Sequence, residues 1–172
     1  MSVVVPLQTI AVGVVVERRK SVTPWSDFVW RPLSVLIGAP DTKPWTKLSD
    51  DGERATFFAG AAEIELYRTE TPYYRENLAS GAPALWVALR ATDGEPPFVV
   101  AVVTADPAEG ESLTETATDI VEQVAMPDAI QHIVGTFVAE HLIEQPFVKR
   151  KRDRADPEAL GRRTRIGDEE PR

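Results

Sequence analysis

The 172-residue chain is 43% hydrophobic and 27% charged, the balance of an ordinary soluble globular protein, and carries a formal net charge of −8. It contains no cysteine, which excludes disulfides, thiolate-held iron–sulfur clusters and a cysteine nucleophile, and fits a reducing, cytoplasmic setting. The length suits one domain plus a tail, with enough apolar material for a core that needs no staples.

The start, MSVVVPLQTIAVGVVV, has no basic residue ahead of its apolar run, so an export signal is not expected. No stretch approaches the ~20 apolar residues that span a bilayer, and no membrane association is expected. Between Thr9 and Arg18 the even positions read Ile10, Val12, Val14 and Val16. Such a β-branched run predicts a strand buried on one face and partly covered on the other. DFVWRPLSVLIG follows as a second strand. Its Pro32 lacks a ladder donor and places it at an edge or a bulge. Residues 39–55 read as a loop, with two prolines and the turn pair Asp51-Gly52.

TFFAG and AEIELYR predict two further strands, the second with Ile64 and Leu66 on one face and Glu63 and Glu65 on the other. TPYYRENLASG predicts a short helix capped by Thr71, with Pro72 at its first position and Gly81 just past its end. ALWVALRAT and PFVVAVVTAD, joined by DGEPP, predict a hairpin whose nearly all-apolar second strand should be central. Asp106-Pro107 opens a weak helical segment, and DIVEQVAM predicts a last strand. From Pro127 to Glu144, Ile130, Ile133, Val134, Phe137, Val138 and Leu142 recur at helical spacing. The expected fold class is therefore α+β: a mainly antiparallel twisted sheet or partly open barrel, closed by a long C-terminal amphipathic helix and followed by a basic tail. Residues 1–146 form the expected single domain and 147–172 the tail.

Catalytic signals are sparse. His132 and His141 stand nine residues apart, on opposite faces of a helix at roughly 100° per residue, so they do not share a metal. The ten glycines are scattered singly, without the strand–loop–helix pattern that cradles phosphate, and no GxSxG elbow is present. Glu63 and Glu65 are close enough to couple but are explained by a wet strand face. No catalytic residue, metal site or cofactor is expected, and the chain does not read as an enzyme.

Two surfaces stand out instead. PWSDFVWRP gathers Trp25, Trp30 and Arg31 near the Arg18–Lys20 run, and Trp and Arg dominate binding hot spots. From Lys149 to the end, nine basic residues face six acidic ones, a net of +3, whereas the preceding residues carry −11. Lys149, Arg150, Lys151, Arg152, Arg154, Arg162 and Arg163 form this basic tail. A tail opposite in sign to its body is expected to meet an acidic protein groove. Nucleic acid is disfavoured, because the body would repel phosphate.

VVVERRKS, PWSDFVWRP, the GAP…PW pair, YRENLASG before PALWVALR, TADPAE and KRKRDRADPEAL together resemble an uncharacterised bacterial family over roughly residues 8–163. It is a domain of unknown function met near genes for formate dehydrogenase and molybdenum-cofactor handling. The resemblance brings no catalytic residues. It implies a non-catalytic small subunit or accessory factor of a molybdenum- or tungsten-dependent formate dehydrogenase, contacting its catalytic subunit through the tail. The alternatives are a transient maturation chaperone for that enzyme or its cofactor, and an independent enzyme or ligand-binding domain with a pocket in the sheet.

Overall fold

The computed structural model describes residues 4–142, apart from 26 and 117. Seven strands and three helices follow in the order β1 (Gln8–Lys20), β2 (Phe28–Ile37), β3 (Thr46–Asp50), β4 (Arg54–Leu66), α1 (Thr71–Leu78), β5 (Ala84–Ala91), β6 (Phe98–Thr104), α2 (Pro107–Glu115), β7 (Asp119–Ala125) and α3 (Asp128–His141). They make two antiparallel sheets. The first has the order β2-β1-β4-β3 and the second β6-β5-β7.

β1 pairs with β2 on one side and β4 on the other, and its valines are buried on one face while Val15 is covered on the other, as the β-branched run indicated. Val12, Val14 and Val16 point into the core. On the opposite face the ring of Phe58 lies over Gly13, where a Cβ would stand 2.8 Å from Cε2 of Phe58. β5 is the central strand of the smaller sheet and sends Leu85, Val87 and Leu89 into the same core, to which α3 adds Ile130, Val134 and Phe137. Full burial of such a side chain contributes about 1.5–3 kcal/mol. The register shifts twice at one level of β1, between Val14 and Val15 against β4 and between Val15 and Val16 against β2. Bulges on both sides of one strand increase the local twist and coil the sheet around the core. Pro32 sits at the second bulge, on an edge strand, as its missing donor requires.

The two sheets adjoin along two seams, β4 beside β6 and β2 beside β7, but no ladder crosses either seam. This overturns the expected single sheet or partly open barrel. Among the described residues there is no closed barrel, and 46% of them are strand, so the architecture is mostly antiparallel sheet with short helices rather than α+β. The long C-terminal helix is corrected too. α3 has 14 residues, and its last turn ends at Leu142, whose backbone leaves the helical region at φ −64°, ψ 116°. Alternating apolar runs specify strands, but they carry no information on whether two neighbouring edges exchange hydrogen bonds.

Smaller corrections follow the same logic. Residues 46–50, expected within a loop, form β3, and TFFAG and AEIELYR are one strand, β4, continued through a bulge. β6 lies at an edge although its sequence is apolar, because β5 takes the centre. Asp106 caps α2 as expected, its carboxylate accepting the Ala108 amide at 2.9 Å, whereas Thr71 opens α1 without a side-chain cap bond. No helix among the described residues is long and apolar enough to cross a membrane.

Candidate functional site

The β1–β2 hairpin divides the residues of PWSDFVWRP between two faces of the larger sheet. Alternation along β2 puts Trp30 on the core side and Arg31 on the outer side, and the turn carries Trp25, which is 92% exposed. Arg31 joins a cluster around Glu17, whose side chain is only 3% exposed. Arg19 Nε lies 2.5 Å and Arg31 Nε 3.2 Å from Glu17 Oε1, and Arg54 Nε stands 4.0 Å from Oε2. The register makes this possible, since Glu17 is opposite Arg31 and Arg19 is opposite Arg54. Three guanidiniums against one carboxylate leave a surplus of two positive charges on a surface with the apolar side chains of Val29 and Leu36 exposed on the same strand. Arginine forks held by a buried carboxylate are pre-oriented to meet carboxylates or phosphates.

The core side of the same strands holds a pocket of about 570 Å³ lined by Arg18, Phe28, Trp30, Trp45, Phe57, Glu95, Pro96 and Pro97. Trp30 contacts Trp45 edge-on at 5.8 Å and Phe57 at 5.5 Å between ring centroids. The Arg18 guanidinium lies 4.4 Å from the Phe28 centroid and 5.2 Å from that of Phe57, within cation–π range. Trp45 adopts φ 67°, a left-handed conformation that a bulky residue holds only when its surroundings impose it. Its amide donates to the Phe58 carbonyl, which ties the backbone of Trp45 to β4.

A second cavity of about 540 Å³ follows the seam between β4 and β6, with Glu63, Glu65, Tyr67, Thr104 and Glu109 among its lining. Consecutive residues 100–104 of β6 line it, so it runs along that strand's edge rather than over one face. Tyr67 donates to Glu65 at 2.5 Å, which pushes its phenol up to about 12, and Thr104 donates to Glu109 at 2.7 Å. Nearby, burial and then the Asp106 carboxylate hold the Glu70 carboxyl above its ordinary range. Glu63 and Glu65 thus do share a wet face, as the alternation indicated.

His141 packs its ring 4.6 Å from Phe137, and no group of three potential metal ligands occurs among the described residues. Lys149, Arg150, Lys151, Arg152, Arg154, Arg162 and Arg163 lie outside the described residues. The sequence singles out Trp25, Trp30 and Arg31 as one patch, which the structure divides between the turn, the pocket and the outer face, and it gives little sign of Arg18, Trp45 and Phe57 as pocket walls. Trp45 was hidden in what reads as a loop, and the Pro44-Trp45 pair was its only signal.

A family model described as "Protein of unknown function (DUF3305)" matches residues 11–151. The chain belongs to this family. The match spans β1 to α3 and therefore both the arginine face and the aromatic pocket. No similarity to a curated protein was found, and none to a solved structure.

Proposed function

We propose that this family member is a non-catalytic accessory module that binds a protein partner through the outer face of the β1–β2 edge. Its sequence resemblance points to a molybdenum- or tungsten-dependent formate dehydrogenase as that partner. The observation that carries the binding role is the pairing of Trp25, 92% exposed on a turn, with the Arg19–Arg31–Arg54 cluster held by buried Glu17. An indole left in water gains when a partner covers it, and Trp and Arg are the types that supply most binding energy at interface centres. The surplus positive charge calls for an acidic partner surface, and the basic segment beyond Phe147 has the same sign. One acidic partner would satisfy both.

The test is an affinity capture from the native cell with four tagged chains: wild type, a copy truncated after Phe147, Trp25→Ala and Arg31→Ala. Stoichiometric recovery of a formate dehydrogenase with wild type, and loss with Trp25→Ala, supports the reading. The expected weakening for Trp25→Ala is at least about 2 kcal/mol, roughly 30-fold. Recovery only from cells still assembling the enzyme would mark a maturation role. Isolation of the dehydrogenase at full yield and activity without this chain refutes the subunit reading.

A further inference from the structure

Arg18 sits where a cation needs an explanation. Arg19, Arg31, Arg54, Lys47 and Arg90 each have a carboxylate within 4.0 Å. Among the described residues Arg18 has none, and its guanidinium is instead surrounded by the rings of Phe28, Phe57 and Trp30 at 4.4, 5.2 and 5.7 Å. Asp50 feels Arg18 only through space, because its oxygens are taken by Lys47 Nζ at 2.8 Å and the Gly52 amide at 2.9 Å. The ring faces orient the guanidinium but do not neutralise it. The positive charge therefore lines a pocket that four aromatic side chains and two prolines also line.

We propose that this pocket binds a small planar aromatic anion, a ring system carrying a carboxylate or phosphate, with Arg18 taking the charged group and Trp30, Trp45 and Phe57 taking the ring. A volume of about 570 Å³ falls in the range of small-molecule sites, and the site has their composition: apolar walls with one or two placed polar groups. Trp30 and Trp45 pack edge-to-face on each other at 5.8 Å, and both line the pocket, so an aromatic ligand would extend an existing cluster of rings. The left-handed Trp45 backbone fixes one wall before any ligand arrives. Glu95, Pro96 and Pro97 complete the lining, and the Glu95 carboxylate repels a ligand's negative group, which leaves Arg18 as its partner in the pocket. This site lies on the core side of the sheet, so it is independent of the partner-binding outer face.

The experiment uses the full chain labelled with nitrogen-15 and follows the indole N–H signals. The probes are naphthalene-2-carboxylate, its neutral isostere naphthalene-2-carboxamide, and the non-aromatic cyclohexanecarboxylate. The carboxylate should shift the Trp30 and Trp45 signals saturably and bind about tenfold more tightly than the carboxamide, the usual advantage of a charged over a neutral hydrogen-bonded pair. Cyclohexanecarboxylate should bind about tenfold more weakly, having lost the stacking. Arg18→Gln should bring the carboxylate and carboxamide within twofold of each other, whereas Arg18→Lys keeps part of the preference. The carboxylate–carboxamide comparison needs no variant, so a poorly folding substitution does not leave it open. Equal affinities for the two, or saturable shifts at Trp25 without shifts at Trp30 and Trp45, overturn the proposal.

Discussion

Replacing Gly110 with alanine sets two effects against each other. In an exposed helix interior Gly→Ala stabilises by about 1 kcal/mol, because alanine has less backbone freedom to lose. At this site in α2, however, a Cβ would lie 2.2 Å from Cγ of Trp86 and 2.4 Å from its Cδ1 and Cδ2. Ordinary carbon contacts start near 3.5 Å, so more than about 1 Å must be found. The obstructing atom is the root of a rigid indole buried on β5, not the end of a flexible chain. Overpacking of this kind costs about 1–3 kcal/mol or more, and a clash this deep belongs at the upper end. The net effect should be destabilisation by about 2 kcal/mol. Urea unfolding followed by circular dichroism should show a midpoint lower by roughly 1 M, given a slope of about 1–3 kcal/mol/M. In a Trp86→Ala background the obstruction is gone, and Gly110→Ala should become neutral or stabilising; this coupling separates the clash from any general damage to α2. A Gly110→Ala chain as stable as wild type refutes the reasoning.

Asn77, buried at the end of α1, donates to the carbonyls of Ala84 and Ala105 at 2.7 and 2.9 Å and accepts the Ala84 amide at 3.0 Å, so it ties α1 to the ends of β5 and β6. Asn77→Ala should cost about 2–4 kcal/mol in urea unfolding, since it strands buried backbone groups; a loss below about 1 kcal/mol would show that water replaces the side chain. Burial pushes the Tyr74 phenol up to about 12, and the bond to Glu65 does the same for Tyr67. Both folded values exceed the unfolded value near 10, so the stability they contribute is complete below pH 10 and is lost as pH rises towards 12. Phenolate absorbance at 295 nm in the native protein, compared with Tyr67→Phe and Tyr74→Phe, should show these two phenols still protonated at pH 11, and ionisation of either near pH 10 would contradict this.

Much of the local structure was legible in the sequence. The valine run of β1, the cap of α2 at Asp106 and the hairpin of β5 with β6 each rest on short-range patterning, and each is present. What failed was long-range. β3 has no apolar alternation, all five of its residues being exposed, and it exists because β4 offers an edge to pair with. The positions of β6 and β5 depend on which neighbour each finds, not on how apolar each is. The site was half legible for the same reason. Trp25, Trp30 and Arg31 are adjacent in sequence, but the convergence of Arg19, Arg31 and Arg54 on Glu17 needs the register of three strands. Arg18 looked like one of a basic run until alternation turned it inward among aromatic rings.

The two unladdered seams have a consequence for solubility. A sheet edge presents a row of free amides and carbonyls on which another chain can template a strand. Here β6 lies beside the stretch of β4 that β3 leaves unpaired, with the cavity of about 540 Å³ along that seam, and β2 lies beside β7, so each of these edges has a neighbour to which it is not bonded. β3 is the second edge of the larger sheet. It is five residues long, follows directly after Pro44-Trp45, and carries the Lys47–Asp50 ion pair. Shortness and charge are the features that discourage edge-to-edge association. Two described edges are thus hindered from templating a further strand in different ways, β2 by the neighbouring sheet and β3 by its shortness and charge.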